Sequence, residues 1–248
     1  MDILFIYNGY KQSESLMYAM RSLDKYCLNV GRVFIVADFK PEWLSDDVTY
    51  IERHNNPSLY KENDITEALY YAVEHSDIAD RFLISGDDYF YVKPTDCDTY
   101  PIYRKGLLPD TKDGKDGMGG WKYVESLMNT RRLLVEEGLP IVNYSEHAMF
   151  YGDRPLMKKF RYLFDKAMSQ QYGVVFDTIM SALIVANDES VNVVPRKDLK
   201  IKSIEGGAAE LRALIGDTEV FSTGLHGMEN GFREVLKELY PDKCRFEK

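Results

Sequence analysis

The 248-residue sequence has few cysteines, no long apolar run and no excess of positive charge. Its three cysteines, Cys27, Cys97 and Cys244, are odd in number and far apart, which argues against a disulfide framework and against a C-x-x-C metal pair. No window reaches the roughly 20 apolar residues that span a bilayer, and the opening segment MDILFIYNGY has no basic stretch before its apolar residues. We therefore expect a cytoplasmic protein with reduced thiols and no membrane span.

The net charge of −9 bears on possible partners. Affinity for nucleic acid comes largely from Lys and Arg, so nucleic acid is a poor default partner, although the sequence is compatible with a local basic groove. Hydrophobic residues make up 45% of the chain and charged residues 29%, a balance typical of a globular protein with a sizeable core. We expect a single domain over residues 1–248.

Short apolar strands alternate with amphipathic helices in the first part of the chain. Runs of apolar residues that end at turn signals predict strands at 3–7, 33–37, 48–51 and 81–85. Apolar residues recur at helical spacing over 16–27 and 65–73 and predict two helices. This order predicts an α/β fold with a mostly parallel sheet flanked by helices, and ligands of such sheets bind beyond the carboxyl ends of the strands.

The remainder of the chain begins with an irregular segment and continues with helical patterns. Residues 94–120 are rich in Pro, Asp and Gly, and we expect a mobile loop there. Helical patterns then cover 124–137, 156–168, 176–186 and 232–239, and a β-rich stretch covers 191–195. The C-terminal part is therefore expected to be mainly helical.

The segment FLISGDDYFYV places two adjacent carboxylates, Asp87 and Asp88, after the fourth predicted strand. Adjacent carboxylates repel each other and lose hydration, so a fold keeps them together where a cation compensates their charge. Hard oxygen ligands suit Mg²⁺ or Mn²⁺, which also bind substrate phosphates. We expect a divalent cation here that bridges to a diphosphate, whereas an isolated Asp-Asp pair would form a solvated turn.

The same residues carry a family resemblance. The segment ISGDDYFYV resembles the D-x-D segment of GT-A glycosyltransferases, and ITEALYYAVEHSDIADRFL resembles the helix and strand that precede it. MRSLDKYCLNVGRVFIVADFKPEWL is similar to the opening block of Stealth-type sugar-phosphate transferases and of small phage or bacterial glycosyltransferases. The similarity covers residues 2–93 and departs from the usual motif at Gly86, where many members have a carboxylate or amide.

The resemblance implies a GT-A, Rossmann-like fold and metal-dependent transfer of a sugar from a nucleoside-diphosphate sugar to an acceptor hydroxyl, on a carbohydrate or another molecule. The donor would lie in residues 1–93 and the acceptor in 121–248. Asp88 would be the main metal ligand. Further contacts to the nucleotide-sugar are expected from the first strand tip and the acidic pair, at Tyr7, Asn8, Gly9 and Asp87.

Two other functions are compatible with this pattern. A sugar-phosphate transferase of the Stealth kind would use the same fold but attack at phosphorus and leave a phosphodiester. A non-catalytic nucleotide- or carbohydrate-binding protein would bind the same ligands without turnover, and Gly86 is compatible with such a loss of activity.

Candidates for a general base lie in the second half of the chain. VNYSEHAMFYGDR places Glu146 and His147 after an apolar approach and loosely resembles an acceptor-side segment of the small phage-like enzymes. Glu146 and Asp177 are the main candidates to take a proton from an acceptor hydroxyl, and Asp153 is a third. Other roles also fit, because Asp177 precedes a helical pattern and suits an N-cap, while Glu146 and His147 suit an exposed pair.

A candidate third metal ligand, His226, lies between glycines in FSTGLHGMENG. Several GT-A enzymes take a metal ligand from a C-terminal histidine near a glycine, and this short resemblance assigns the role to His226. A polar surface position is the alternative. The alternation of Tyr89 and Tyr91 along a strand predicts that they belong to the core and the wall of the site.

Overall fold

The computed structural model describes residues 1–7, 14–109, 120–196, 199–223 and 231–248. The strands are β1 (Ile3–Tyr7), β2 (Cys27–Leu28), β3 (Val33–Ala37), β4 (Thr49–Glu52), β5 (Arg81–Gly86), β6 (Tyr89–Tyr91), β7 (Thr95–Asp96), β8 (Ile102–Arg104), β9 (Gly106–Leu107), β10 (Val142–Asn143), β11 (Phe150–Asp153), β12 (Val193–Pro195) and β13 (Val220–Ser222). The helices are α1 (Ser15–Tyr26), α2 (Lys61–Glu74), α3 (Trp121–Glu136), α4 (Arg154–Lys159), α5 (Arg161–Met168), α6 (Phe176–Asn187), α7 (Gly207–Ile215) and α8 (Phe232–Leu239).

A five-stranded sheet in the order β11-β5-β1-β3-β4 forms the centre of the molecule. β1 pairs in parallel with β3 and with β5, and β3 pairs in parallel with β4. β11 joins the other side of β5 in the antiparallel direction. The side chains of β3 are all buried, as expected where helices cover both faces of a parallel sheet. The predicted α/β fold with a mostly parallel sheet is confirmed.

The parallel strands bring their last residues to one edge of the sheet, where Tyr7, Ala37 and Gly86 end β1, β3 and β5. We call it the carboxyl edge. Helices α1 and α2 begin there because each follows a strand that ends there. β11 runs in the opposite direction, so the residues before Phe150 lie at the same edge. The ring of Phe176 lies 6.4 Å from that of Phe150, which brings the start of α6 to this edge as well.

Most predicted elements are confirmed, but the second half differs in detail. The predicted helix over 156–168 is two helices that meet at Phe160. Residues 94–109 contain β7, β8 and β9, whereas the sequence predicts an irregular loop. These strands have two or three residues, too few for an alternating pattern. The rest of the predicted loop, 110–119, lies outside the described residues.

Two of the cysteines are neighbours in the fold. β2 pairs with β7, and the interaction with the Cys97 thiol, together with burial, raises the pKa of Cys27. All three cysteines are buried free thiols. Across the parts of the chain that the structure describes, no helix combines the length and apolar character needed to cross a membrane.

Candidate functional site

The acidic pair Asp87 and Asp88 directly follows β5 at the carboxyl edge. The hydroxyl of Ser15, the first residue of α1, donates a 3.5 Å hydrogen bond to Asp87 Oδ2. The pKa of Asp87 is raised to about 7, chiefly by burial and then by the negative charge of Asp88, while Lys61 and Ser15 oppose the rise. The neighbouring cation therefore compensates only part of the negative charge of the pair.

The glycine at position 86 has a steric explanation. A Cβ at Gly86 would lie 2.9 Å from the ring of Tyr89 and 3.1 Å from Asp88 Oδ1. Contacts below 3.0 Å to a ring force a displacement, so a side chain at this position would move Tyr89 or Asp88. Glycine at position 86 therefore leaves room for the Tyr89 ring and the Asp88 carboxylate.

The first turn of α2 supplies a cation and a third acid, Lys61 and Glu62. Glu62 is buried, and its carboxylate makes no hydrogen bond with the described residues. Burial is the main cause that raises the pKa of Glu62 to about 7; Lys61 opposes the rise and the charge of Asp177 adds to it. Lys61, the first residue of α2, lowers the pKa of both Glu62 and Asp87 through its positive charge.

Helix α6 contributes Asp177 from its first turn. The N-cap of α6 is Val175, so the N-cap role considered for Asp177 is wrong; the helix begins at Phe176 and Asp177 is inside it. Asp177 Oδ1 accepts the Thr178 N–H at 2.6 Å, and the Ser145 hydroxyl donates to the same carboxylate.

Burial raises the pKa of Asp177 in spite of several compensating contacts. The hydrogen bonds from Ser145 and Thr178 lower it, and so do the charges of Lys105 and His147. The positive end of the helix dipole also favours a carboxylate in the first turn. Asp177 therefore combines burial with several nearby donors and cations.

Glu146 and His147 occupy different environments, so they do not form an exposed pair. The Glu146 side chain is only 3% exposed, and its Oε2 lies 3.9 Å from Lys105 Nζ. The half-buried ring of His147 packs edge-on against Tyr89 with centroids 6.3 Å apart, and its Nε2 lies 3.5 Å from Lys200 Nζ. His147 thus connects the strand after the acidic pair with Asp177, whose pKa it lowers.

These residues are connected at the carboxyl edge by charge interactions and one ring contact. The charge of Lys61 acts on Asp87 and on Glu62, the charge of Asp177 acts on Glu62, and the charge of His147 acts on Asp177, while the His147 ring packs against Tyr89 beside Asp88. We call this group the carboxylate site; its members are Ser15, Lys61, Glu62, Asp87, Asp88, Tyr89, His147 and Asp177. The sequence predicts Asp87, Asp88 and Asp177 as functional residues, and the structure brings them together here.

The other predicted residues are buried in the core or fall outside the described parts of the chain. Tyr7 is 2% exposed and packs its ring 5.7 Å from that of Phe39. Asn8, Gly9 and His226 fall outside the described residues. The expectation that Tyr91 belongs to the core is confirmed, because it is 1% exposed.

Asp153 is wrong as a candidate base. It belongs to β11, which is antiparallel, and therefore lies at the opposite edge of the sheet from Asp87. There it forms an ion pair with Arg81 at 3.1 Å and caps α4 by accepting the Leu156 N–H. Both contacts are structural.

The acidic pair has the chemistry of a divalent cation site that a substrate would complete. Among the described residues, no group of three or more His, Cys, Asp and Glu side chains is arranged to hold a metal ion. Mg²⁺ is commonly bound by one or two carboxylates, with water and substrate phosphate as its remaining ligands. Burial and then repulsion from Asp88 raise the pKa of Asp87, and a bound cation would relieve the repulsion. The residues therefore fit such an ion.

Sequence reasoning missed Ser15, Lys61, Glu62 and Lys200. The first three had a usable signal, since each begins a helix next to a predicted strand end, where ligands of α/β sheets bind. Lys200 had none. It reaches His147 only because Lys200 bridges to Ser222 of β13, which in turn pairs with Tyr89 of β6.

No protein-family model matches the chain, and no curated protein matches it. Two solved structures of the glycosyltransferase GlyE from Streptococcus pneumoniae TIGR4 are similar to it. The apo form is 12% identical with a TM-score of 0.49, and a second crystal structure is 11% identical with a TM-score of 0.48. Each covers 98% of this chain and 60% of the GlyE chain, so this chain spans about 60% of the length of GlyE.

Proposed function

We propose that this chain is a nucleotide-sugar-dependent glycosyltransferase that holds a divalent cation at Asp87 and Asp88. The observation that carries the proposal is the gathering of Asp87, Glu62 and Asp177 at the carboxyl edge, with pKa values that burial raises. Buried acids with perturbed pKa values are concentrated at functional sites, because binding and proton transfer use them. The resemblance of ISGDDYFYV to the D-x-D segment supports the same function.

The donor side of the site is built on β1, β5 and α1. Asp88 and Asp87 would hold Mg²⁺ or Mn²⁺, which when bound supplies positive charge to the diphosphate leaving group. Ser15 orients Asp87 through its hydrogen bond. Tyr7 ends the neighbouring strand β1, Asn8 and Gly9 follow it in sequence, and all three are proposed to contact the nucleotide.

On the acceptor side, Asp177 is our candidate for the base. It would accept the acceptor hydroxyl proton as the acceptor oxygen bonds to the anomeric carbon and the bond to the diphosphate breaks. Burial raises the pKa of Asp177, and a raised pKa makes its carboxylate a better proton acceptor than an ordinary aspartate. Glu146 is less suited, since its side chain is 3% exposed and faces Lys105.

Thermal unfolding with UDP-, GDP- and CDP-sugars, each with and without MnCl₂, tests the proposal. A donor at 100 times its dissociation constant stabilises the folded state by ~2.7 kcal/mol, and we expect that gain only when metal is present. Asp88→Asn should remove the gain and leave the fold intact. Asp46→Asn is the matched control, because Asp46 is an exposed acid paired with Lys40 on the surface.

Undiminished Mn²⁺-dependent UDP binding in Asp88→Asn would contradict the metal assignment.

Product analysis addresses the reaction type. A glycosidic product without phosphorus is expected, whereas a phosphodiester product would identify a sugar-phosphate transferase instead. Binding without any turnover would identify a non-catalytic protein.

A further inference from the structure

Three aromatic rings form a surface beside the carboxylate site. Trp121 is the first residue of α3 and is 62% exposed. The Trp121 and Tyr172 ring centroids are 5.2 Å apart, and those of Tyr172 and Tyr60 are 5.3 Å apart; both pairs are edge-to-face. We call Tyr60, Trp121 and Tyr172 the aromatic surface. A large exposed apolar residue in contact with other rings is typical of a binding surface.

A buried polar junction holds the elements that carry these rings. Asn63 Nδ2 donates to the carbonyl of Gln170 at 3.0 Å, and Asn129 Nδ2 donates to the carbonyl of Gly173 at 2.9 Å. Gly173 has a φ of +61°, and a Cβ there would lie 2.2 Å from Asn63 Oδ1. Glycine is therefore required where α2, α3 and the segment before α6 meet. The aromatic surface is fixed in place before any ligand arrives.

The aromatic surface and the carboxylate site are connected along the chain at two places. Tyr60 is the N-cap of α2, whose first turn contains Glu62. Tyr172 precedes α6, whose first turn contains Asp177. The charge of Asp177 acts on Glu62, which is consistent with both segments ending at the carboxylate site.

A third connection comes from α3. The hydroxyl of Tyr123, in the first turn of that helix, lies 3.0 Å from Ser145 Oγ, and Ser145 donates to Asp177. Trp121 is therefore also linked to the candidate base. The aromatic surface borders the carboxylate site on the side of Glu62 and Asp177.

The surroundings of Glu62 indicate which kind of ligand would bind beside the aromatic surface. Its residue is 8% exposed, and its carboxylate has no hydrogen-bond donor among the described residues. The Glu62 oxygens are not among the fully enclosed unpaired atoms of the described residues, so water or a ligand can reach them, and a ligand that brings donors can replace that water. The ligand should therefore combine hydroxyl or amine donors with a flat apolar face.

A pyranose ring has both features. One face of the ring presents C–H groups, which pack on the electron-rich face of an aromatic ring, and its rim presents hydroxyl donors. The carboxylates at this border disfavour an anionic ligand, as does the net charge of −9. A lipid chain would leave Glu62 without a donor. An uncharged carbohydrate fits all three observations.

We propose that the aromatic surface and Glu62 bind an uncharged oligosaccharide acceptor, with one sugar stacked on Trp121 and a hydroxyl of the next donating to Glu62. The inference rests on the proposed function and names the class of its acceptor. It places the bound acceptor hydroxyl next to Asp177, the candidate base.

Tryptophan fluorescence tests the proposal directly, because the chain has only two tryptophans. Trp43→Phe leaves Trp121 as the sole reporter. We expect at least one of cellotetraose, chitotetraose and maltotetraose to shift its emission to shorter wavelength in a saturable titration, since stacking removes the indole from water. In that background, Tyr172→Ala and Glu62→Gln should each raise the half-saturating concentration at least tenfold. Tyr162→Ala, which removes a 52% exposed tyrosine on α5, should leave it unchanged.

The outcomes separate this inference from the proposed function, because donor binding is measured independently by thermal unfolding. If metal and nucleotide-sugar stabilise the protein but no oligosaccharide shifts Trp121, the inference is overturned and the proposed function stands. A shift that survives both Tyr172→Ala and Glu62→Gln overturns it too, since the sugar then binds elsewhere. A shift lost in both variants, with no response to any donor, supports the carbohydrate site and contradicts the glycosyltransferase.

Discussion

Strand β5 has acidic residues near both of its ends, and the two groups differ in their partners. At the amino end, Arg81 bonds to Asp153 at 3.1 Å and to Asp188 at 2.8 Å. The pKa of Asp188 is lowered to about 2, first by the Ser190 hydroxyl and then by Arg81. At the carboxyl end the pKa of Asp87 is raised to about 7. Two aspartates, one near each end of β5, therefore have pKa shifts in opposite directions.

Helix α2 repeats the contrast within one turn. Asp64 is bonded by Arg53 at 2.6 Å, in a pairing that also includes Glu67. Glu62, two residues earlier, is equally buried but has no such partner. Acids that stabilise a fold are paired with cations and hydrogen-bond donors. Acids that act on a ligand keep negative charge that no neighbouring cation fully compensates. Glu62 and Asp87, at the ends of α2 and β5 on the carboxyl edge, have no ion-pair partner among the described residues and match what we propose for acids of the second kind.

The largest effect should come from removing the acid nearest to the acceptor. We expect Asp177→Asn to slow transfer by ~10²–10⁴ and to leave donor affinity within about twofold, because a base acts on the acceptor and not on the diphosphate. Initial rates at saturating donor, together with donor affinity from thermal unfolding, measure the two quantities. Glu146→Gln is the matched variant and should reduce the rate less.

Two results would change this assignment. If Glu146→Gln slows transfer more than Asp177→Asn, then Glu146 is the base and Asp177 positions Ser145. A loss of donor affinity in Asp177→Asn as large as that of Asp88→Asn would move Asp177 to the donor side.

A second effect concerns stability against pH. The pKa of Glu62 rises from 4.5 to about 7 on folding, so its deprotonation is less favourable in the folded state. The stability that protonated Glu62 contributes to the fold is fully present below about pH 4.5 and is lost as the pH rises through about 7. Glu62→Gln should therefore be more stable than the parent at pH 8, by on the order of 3 kcal/mol, with little difference at pH 4.5.

Urea unfolding of both proteins at several pH values measures this difference. Lys61 and Asp177 are the charged neighbours that act on Glu62, and both are unchanged in the variant. Glu67→Gln is the control, because it removes a partner of Arg53 and should not become more stable than the parent at high pH. A constant difference between parent and Glu62→Gln at all pH values would show that Glu62 is not strained by its charge.

The smallest effect should come from the amino end of β5. Arg81→Leu leaves Asp153, which is 6% exposed, without its cation. We expect the free energy of unfolding to fall by about 1–3 kcal/mol, the cost of an incompletely satisfied buried group. Donor binding should not change, because Arg81 is at the other edge of the sheet. Loss of metal-dependent donor binding in this variant would remove the distinction between the two ends.

The sequence predicts the parts of the site that depend on local pattern. The apolar runs of β1 and β3 and the acidic pair after β5 are visible because each is contiguous. The choice between Glu146, Asp153 and Asp177 is not local. It depends on the direction of β11, which four residues of sequence do not reveal, and on which helices begin at the same edge. The aromatic surface was missed for this reason, because its three rings come from separate segments of the chain.

The pairing of β5 with strands distant in sequence has a consequence for how the site forms. Leu83 pairs with Ile3 and Ile84 pairs with Phe150, so both neighbours of this strand are brought in by closing long loops. Contacts between residues far apart in sequence carry a large entropic cost and slow the search for the native topology. The carboxylate site accordingly is complete only after long-range pairing, because Asp87 and Asp88 are adjacent in sequence but Glu62 and Asp177 come from helices that precede and follow β5 in the chain.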